Sequence, residues 1–192
     1  MGFQAWLGAT VVYSVLAPAR ITVHMLMAFV IVALLLVIIY RTREHKPITK
    51  PNKTFKNLLI FAVLLTTVQV VFGTQVRQFV DEQIDLLGDS AKSLWLAKPE
   101  LSFYIHRSLS SLVFLINTWI LYLNVKNNLG FEKVRWVFYI IFLEIASGMA
   151  MYYLDFPFGT QTIHLVLATL LFGVQFYLIL ETGKRFNKTK TL

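Results

Sequence analysis

Long apolar stretches alternate with short polar segments along the chain. Five stretches of about 20 residues carry few charged side chains, and about 20 apolar residues are what a helix needs to cross the hydrocarbon core of a bilayer. The pattern therefore predicts five transmembrane helices, the first to fifth spans, which lie roughly at 19–40, 57–78, 101–125, 134–154 and 160–181.

A shorter apolar segment, residues 1–16, precedes the first span. A helix of this length would extend about 24 Å at about 1.5 Å per residue, which is less than the roughly 30 Å of a hydrocarbon core. No basic region precedes the apolar residues, as it would in a signal peptide. We therefore expect this segment to be the end of a longer helix.

The composition excludes several classes of protein. Hydrophobic residues make up 57% of the chain and charged residues 15%, whereas about a quarter of a soluble domain is charged. A disordered chain would need low hydrophobicity instead. The absence of cysteine excludes a disulfide scaffold, iron–sulfur ligation and thiolate zinc sites. An all-α integral membrane protein is the fold class that remains.

The basic residues indicate the orientation of the spans. Thirteen of the 18 lie in segment 41–56, in turn 124–135 and in the tail after residue 181, which share one side if the helices alternate. The acidic loop 79–100 lies on the other side. The positive-inside rule makes the basic side cytoplasmic, so we expect a multi-pass protein of the inner (plasma) membrane with a cytoplasmic C-terminus. The net charge of +8 thus indicates topology, and no nucleic-acid partner is expected.

The chain contains an internal repeat at an offset of 140 residues. Its pattern is Gln/Glu-x-x-x-Gly, then 15 residues, then His-x-x-x-Ala. Repeats of this kind indicate duplicated structural units. The aligned pairs are Gln4 with Glu144, Gly8 with Gly148, Tyr13 with Tyr153, His24 with His164, and Ala28 with Ala168.

The repeat predicts the domain organisation. Two spans precede the second copy and none precedes the first, so we expect about three quarters of an eight-helix, pseudo-two-fold bundle that starts inside its third helix. A five-helix protein with a short N-terminal arm is the alternative. On the first scheme, 1–40 ends an N-terminal four-helix half, 41–56 is a basic cytoplasmic linker, 57–185 is a C-terminal four-helix half and 186–192 is a tail.

Three histidines lie inside spans at one depth. His24, His106 and His164 are each about five residues from the outer end of an outside-to-inside helix, whereas His45 lies in the basic linker. An ionisable group within a membrane span indicates a functional site, and two opposed imidazoles can hold a haem iron. Zinc is less favoured because it needs further ligands nearby. A hydrogen-bonded structural role is the alternative for any single histidine.

Polar and small residues share a helix face with two of these histidines, which suits a flat macrocycle close to the backbone, although small residues also pack helices. Arg20, Arg77 and Arg107 lie at the outer rim, where they could bind haem propionates or simply extend to the interface. Glu144 lies mid-span without a charge partner at its depth, either protonated and hydrogen-bonded or on a proton path. The helix face that carries His106 consists of Ser102, His106, Ser110, Val113 and Asn117. The helix face that carries His164 consists of Thr160, His164, Ala168, Leu171 and Gln175.

The sequence resembles the haem A synthase family, integral-membrane enzymes of cytochrome oxidase assembly with eight helices in two similar halves. Residues 2–28, GFQAWLGATVVYSVLAPARITVHMLMA, resemble the end of the family's third helix and the start of its fourth. Residues 72–85, FGTQVRQFVDEQID, resemble the outer end of the fifth, where Gly-x-x-Val-Arg is typical. The patterns His106-Arg107-x-x-Ser110 and Gly148…His164 resemble the sixth to eighth helices.

The resemblance implies specific roles. His106 and His164 match the pair that holds haem b, which makes 57–185 the haem b domain, with Arg77 and Arg107 as propionate ligands. His24 matches a ligand of the haem o substrate or haem a product. Its partner and the family's catalytic glutamate would precede Met1, so no catalytic residue is identified. The absence of cysteine matches the family's Cys-free type.

The reaction that the resemblance implies is oxidation of a haem o methyl group to a formyl group, by successive hydroxylations and loss of water. The expected partners are membrane lipid, a haem o synthase that supplies the substrate, an electron donor of unknown identity and, for a homo-oligomer, a second copy of the chain. Two alternatives stay open: a b-type cytochrome that only transfers electrons, and a non-catalytic membrane protein whose histidines pack helices.

Overall fold

The computed structural model describes residues 2–13, 18–43 and 52–183. They form six α-helices and one 3-10 helix, and five of the helices are long and apolar enough to cross a membrane. The predicted all-α membrane bundle is confirmed. The elements are α1 (Gly2–Tyr13), α2 (Pro18–Thr42), α3 (Lys53–Leu87), the 3-10 helix (Asp89–Leu94), α4 (Leu101–Lys126), α5 (Lys133–Tyr153) and α6 (Thr160–Gly183). His45, half of the predicted basic linker and the predicted tail lie outside the described residues.

The last four α-helices form a four-helix bundle in which each packs against the next and α6 packs back against α3. Helices α4 and α6 therefore lie diagonally opposite one another. The apolar core is concentrated toward the end where Lys126 and Lys133 lie, called here the basic end. The opposite end, where α4 and α6 begin, is called the histidine end. The core consists of Phe55, Leu59, Ala62, Leu65, Val113, Ile120, Leu129, Phe131, Val134, Val137, Ile141, Leu171 and Leu178.

Helix α2 packs outside this bundle, in the groove between α3 and α6. The Phe29 ring stacks on Phe172 of α6 with ring centres 4.2 Å apart, and the Thr22 and Thr74 hydroxyls are hydrogen-bonded at 2.6 Å. Among the described elements, α1 packs against α2 alone. The helix pair α1–α2 is thus fixed to the bundle through α2.

Helix α3 is longer than its sequence predicted. It continues to Leu87, so the expected loop 79–100 is helical in its first part. Arg77 and Asp81, one turn apart, form an ion pair at 2.7 Å, and such pairs favour continuation of a helix. The helix ends at Gly88, whose φ of 82° suits glycine. Val80, Trp95 and Phe156 then pack together over the histidine end.

The outward faces of the spanning helices are apolar. A water-soluble protein seldom exposes a continuous apolar surface of this extent, whereas a bilayer requires one. The exposed large side chains include Leu34, Leu35, Ile38, Phe61, Leu64, Leu115, Trp119, Trp136, Phe142, Val166 and Leu170.

Candidate functional site

His106 of α4 and His164 of α6 meet in the interior of the bundle near the histidine end. Their ring centres are 6.4 Å apart and their planes are inclined at 68°. Both residues lie in the first two turns of their helices. Because α4 and α6 are diagonal partners, the two rings approach each other across the space that separates these helices. The structure thus brings together the two histidines that the sequence paired.

The His106 ring is oriented by Gln69 of α3. His106 Nδ1 lies 3.1 Å from the main-chain oxygen of Gln69, and a carbonyl can only accept, so Nδ1 carries the proton. The Gln69 side chain donates in return from Nε2 to the main-chain oxygen of His106 at 2.9 Å. The lone pair of His106 is therefore on Nε2.

The His164 ring is oriented by α5. Its Nδ1 lies 2.8 Å from Ser147 Oγ and 2.5 Å from Glu144 Oε2. Ser147 donates its own proton to the main-chain oxygen of Glu144 at 2.9 Å, so its oxygen is left to accept from the ring. The two side-chain oxygens of Glu144 are buried and make no hydrogen bond in the described part of the chain, so the contact between Oε2 and Nδ1 is a close electrostatic one. Glu144, for which the sequence offered no charge partner at its depth, thus lies against the His164 ring.

A glycine on the neighbouring helix faces each of the three membrane histidines. A Cβ added at Gly73 would lie 3.1 Å from His106 Cε1, one at Gly8 would lie 3.2 Å from His24 Cε1, and one at Gly148 would lie 3.6 Å from His164 Cε1. Each ring can lie close to the backbone of its neighbour because no side chain stands between them.

His24 of α2 repeats part of this arrangement. The Gln4 side chain of α1 donates to the main-chain oxygen of His24 at 3.1 Å, as Gln69 does for His106, and Gln4 Nε2 lies 3.5 Å from the His24 ring. His24 Nδ1 is buried and has no partner within the described part of the chain. No second histidine faces His24 there, so it forms no pair like that of His106 and His164.

The three units share one motif, of which sequence reasoning found only two copies. Gln4-x-x-x-Gly8 and Glu144-x-x-x-Gly148 were aligned by the repeat, whereas Gln69-x-x-x-Gly73 was missed. Its histidine follows the glycine by 33 residues rather than 16, because the long connection between α3 and α4 intervenes. The spacing of the polar residue and the glycine would have identified it.

The three arginines occupy different positions. Arg77 donates to Gln161 Oε1 of α6 at 2.8 Å and pairs with Asp81, so it lies above the two rings at the histidine end. The sequence predicted that Arg77 would lie at the end of its helix. The helix instead continues to Leu87. Arg107 is exposed beside the Tyr152 ring, 6.0 Å from its centre. Arg20 donates to the main-chain oxygen of Thr10 at 3.2 Å and so connects α2 to α1.

The predicted helix faces point inward below the two rings. Gln175 Nε2 donates to Asn117 Oδ1 at 3.0 Å, which joins α6 to α4 across the bundle. Val113 and Leu171 lie in the apolar core. The small residue Ser110 bonds within its own helix, where its hydroxyl donates to the main-chain oxygen of Arg107. The space between α4 and α6 is thus filled below the rings, and the histidine pair closes its upper part.

The geometry fits a metal between the rings. Two imidazoles bound to one metal ion at about 2 Å each would have ring centres roughly 6 Å apart, close to the 6.4 Å observed. Within the described residues neither Nε2 has a hydrogen-bond partner. No group of three or more His, Cys, Asp or Glu side chains lies together there. The site therefore suits a metal that brings its remaining ligands with it, as haem iron does.

The sequence matches the family model described as cytochrome oxidase assembly protein over residues 1–176. No curated protein and no solved structure matches the chain.

Proposed function

The chain belongs to the cytochrome oxidase assembly protein family, the family of the haem A synthases, and on that premise we propose that it is a membrane oxidoreductase that converts the methyl group of haem o into the formyl group of haem a. The family supports a role in cytochrome oxidase assembly, and the five apolar helices support a place in the membrane. The reaction itself is our proposal.

The observation that carries the proposal is the opposed pair His106 and His164. Both rings have Nδ1 turned to a partner on the adjacent helix, which leaves both Nε2 atoms for iron. This is the second-sphere arrangement that metal-binding histidines commonly show. We assign a bis-histidine haem b to this pair. Such a haem supplies one-electron redox chemistry.

The protein holds and orients the group. The main-chain oxygen of Gln69 and the Ser147 hydroxyl orient the two rings, and Glu144 contacts the second of them. The opposed glycines keep both rings close to the neighbouring helices. Arg77 is the stronger candidate for a propionate because it lies above the ring pair, bonded to Gln161. Arg107 is exposed at the same end and stays a weaker candidate. Apolar side chains around the bundle keep bulk water away from the site.

His24 is the proposed ligand of the haem o substrate or the haem a product. Its support is the shared unit of Gln4, Gly8 and His24, which matches both haem b units in its glycine contact and the His106 unit in its glutamine bond. His24 Nδ1 is buried and has no hydrogen-bond partner in the described part of the chain, so this nitrogen can still bind a further polar group. The substrate would come from a haem o synthase, and an external donor would supply electrons through haem b.

A b-type cytochrome that only transfers electrons is the second candidate. It is favoured by one observation: His106 and His164 form a complete pair, whereas among the described residues no histidine faces His24. A carrier would need the pair and would have no use for His24.

Alanine variants of His106, His164 and His45 test the haem b assignment, and an alanine variant of His24 tests the reaction. His106→Ala and His164→Ala should each abolish the low-spin bis-histidine spectrum of the purified, haem-loaded protein. His45→Ala, in the polar segment 41–56, is the control and should retain it. If both site variants keep the spectrum, the haem b assignment is wrong.

The same preparations distinguish the two candidates. With haem o, a reductant and oxygen, the protein should form haem a, and His24→Ala should lose this conversion while the His106–His164 spectrum persists. Haem binding without any conversion would favour the electron carrier.

A further inference from the structure

The two iron ligands of the proposed haem b site have chemically different partners. His106 Nδ1 faces a main-chain carbonyl at 3.1 Å. His164 Nδ1 faces the Glu144 carboxyl group at 2.5 Å and the Ser147 hydroxyl at 2.8 Å. A carboxylate at this distance acts on the ring more strongly than a neutral carbonyl does, because a full charge interacts more strongly than a dipole in a medium of low dielectric constant.

The difference follows from one substitution in the shared motif. In two units the residue one turn before the glycine is glutamine, whose Nε2 donates to the main-chain oxygen of the histidine: Gln4 to His24 at 3.1 Å and Gln69 to His106 at 2.9 Å. A carboxylate has no proton to donate. Glu144 therefore cannot make this bond and contacts the ring of His164 instead.

Iron ligation fixes where the proton of His164 lies. If Nε2 binds iron, the ring proton is on Nδ1, so the groups facing Nδ1 must accept it. Ser147 has donated its own proton to the main chain, so its oxygen accepts the proton of Nδ1. The carboxyl group of Glu144, 2.5 Å from the same nitrogen, places negative charge beside the ring, and this charge strengthens electron donation from the ring to the metal.

We propose that Glu144 is a positioning residue that makes His164 the more strongly donating of the two ligands and thereby lowers the reduction potential of the site. The proposal rests on the haem b assignment. Electron donation from an axial ligand favours ferric over ferrous iron, and the charged and polar groups around the ligands are one way in which proteins set such potentials. Glu144 touches neither iron nor substrate and acts through His164.

The test is the midpoint potential of the haem-loaded full chain, followed optically. Glu144→Gln converts this unit into the glutamine form of the other two and should raise the potential, with a shift of about tenfold in the ferric/ferrous ratio, which is about 59 mV for one electron. The matched control is Glu181→Gln, which removes a carboxylate at the basic end of the same helix pair, where Glu181 pairs with Lys133 at 2.6 Å.

The outcomes are distinct. A raised potential in Glu144→Gln but not in Glu181→Gln, with the bis-histidine spectrum intact, supports the proposal. Equal potentials with intact spectra overturn it and leave the haem assignment standing. A wild-type protein without a bis-histidine haem overturns both.

A second variant decides the question if Glu144→Gln does not hold haem. Ser147→Ala removes the neutral partner and leaves the Glu144 carboxyl group as the remaining polar group beside His164 Nδ1. Its potential should fall below that of the wild type. A potential that is unchanged or raised would show that the carboxylate does not act on the iron through this ring.

Discussion

The glycines opposite the histidines allow one prediction with a built-in comparison, Gly73→Ala against Gly148→Ala. Both changes add one methyl group to a helix beside a proposed ligand. The new carbon would lie 3.1 Å from His106 Cε1 in the first variant and 3.6 Å from His164 Cε1 in the second. Favourable carbon contacts occur at about 3.5–4.0 Å, so only Gly73→Ala forces a displacement.

The size of the effect follows from these distances. The His106 ring would have to move by about 0.4 Å to restore an ordinary contact. This displacement uses most of the roughly 0.5 Å by which the groups of a working site can depart from their required positions. The bond from His106 Nδ1 to the main-chain oxygen of Gln69, which lies one turn before Gly73 on α3, resists the shift. Overpacking costs about 1–3 kcal/mol. If this cost falls on the ligating state, haem affinity drops about tenfold to a hundredfold.

Gly148→Ala should behave in the opposite way. Its methyl group meets an ordinary contact, and alanine is favoured over glycine in a helix by about 1 kcal/mol. We expect a gain in thermal stability in detergent and a haem affinity within about threefold of the wild type. The assays are haem titration at the Soret band and thermal unfolding. Equal haem affinities in the two variants would refute the argument that the Gly73 contact limits the position of His106.

Three further predictions concern the fold. Asn124→Ala should lower the free energy of unfolding by about 1–3 kcal/mol, because the side chain bonds both the N–H and the carbonyl of Phe131 at 3.1 Å; the exposed Asn127→Ala should have little effect on thermal unfolding. A double-mutant cycle of Asn117→Leu and Gln175→Leu should give a coupling of about 0.6 kcal/mol and at most about 1.7 kcal/mol, and zero coupling would contradict the interhelical bond. A reporter that is active only outside the cytoplasm, fused to the C-terminus, should be inactive, and activity there would reverse the proposed orientation.

The hydropathy of the chain determined the number and approximate limits of the spans. Each span satisfies its own backbone hydrogen bonds and needs only sufficient apolar length, which is a local property. The depth of His24, His106 and His164 could be counted from the same limits. The motifs quoted for the haem A synthase family were local as well, and the family is confirmed over residues 1–176.

The limits of α3 show where local patterning fails. The polar residues after position 78 predicted a loop, because hydropathy measures only whether a segment suits lipid. The helix continues to Leu87 because Arg77 pairs with Asp81 on one face while Phe79 and Val80 are buried on another. A helix that leaves the apolar layer needs such contacts, and a hydropathy pattern does not report them.

The arrangement of the site was decided by tertiary structure alone. In a membrane protein the lipid-facing and the buried sides of a helix are both apolar, so hydrophobic periodicity does not identify which face points inward. The sequence could place His106 and His164 at one depth. Only the packing order of the bundle makes α4 and α6 diagonal partners and sets the two rings 6.4 Å apart. The same packing brings Gln69 of α3 and Glu144 of α5 to the ring nitrogens of the two histidines, which lie on other helices.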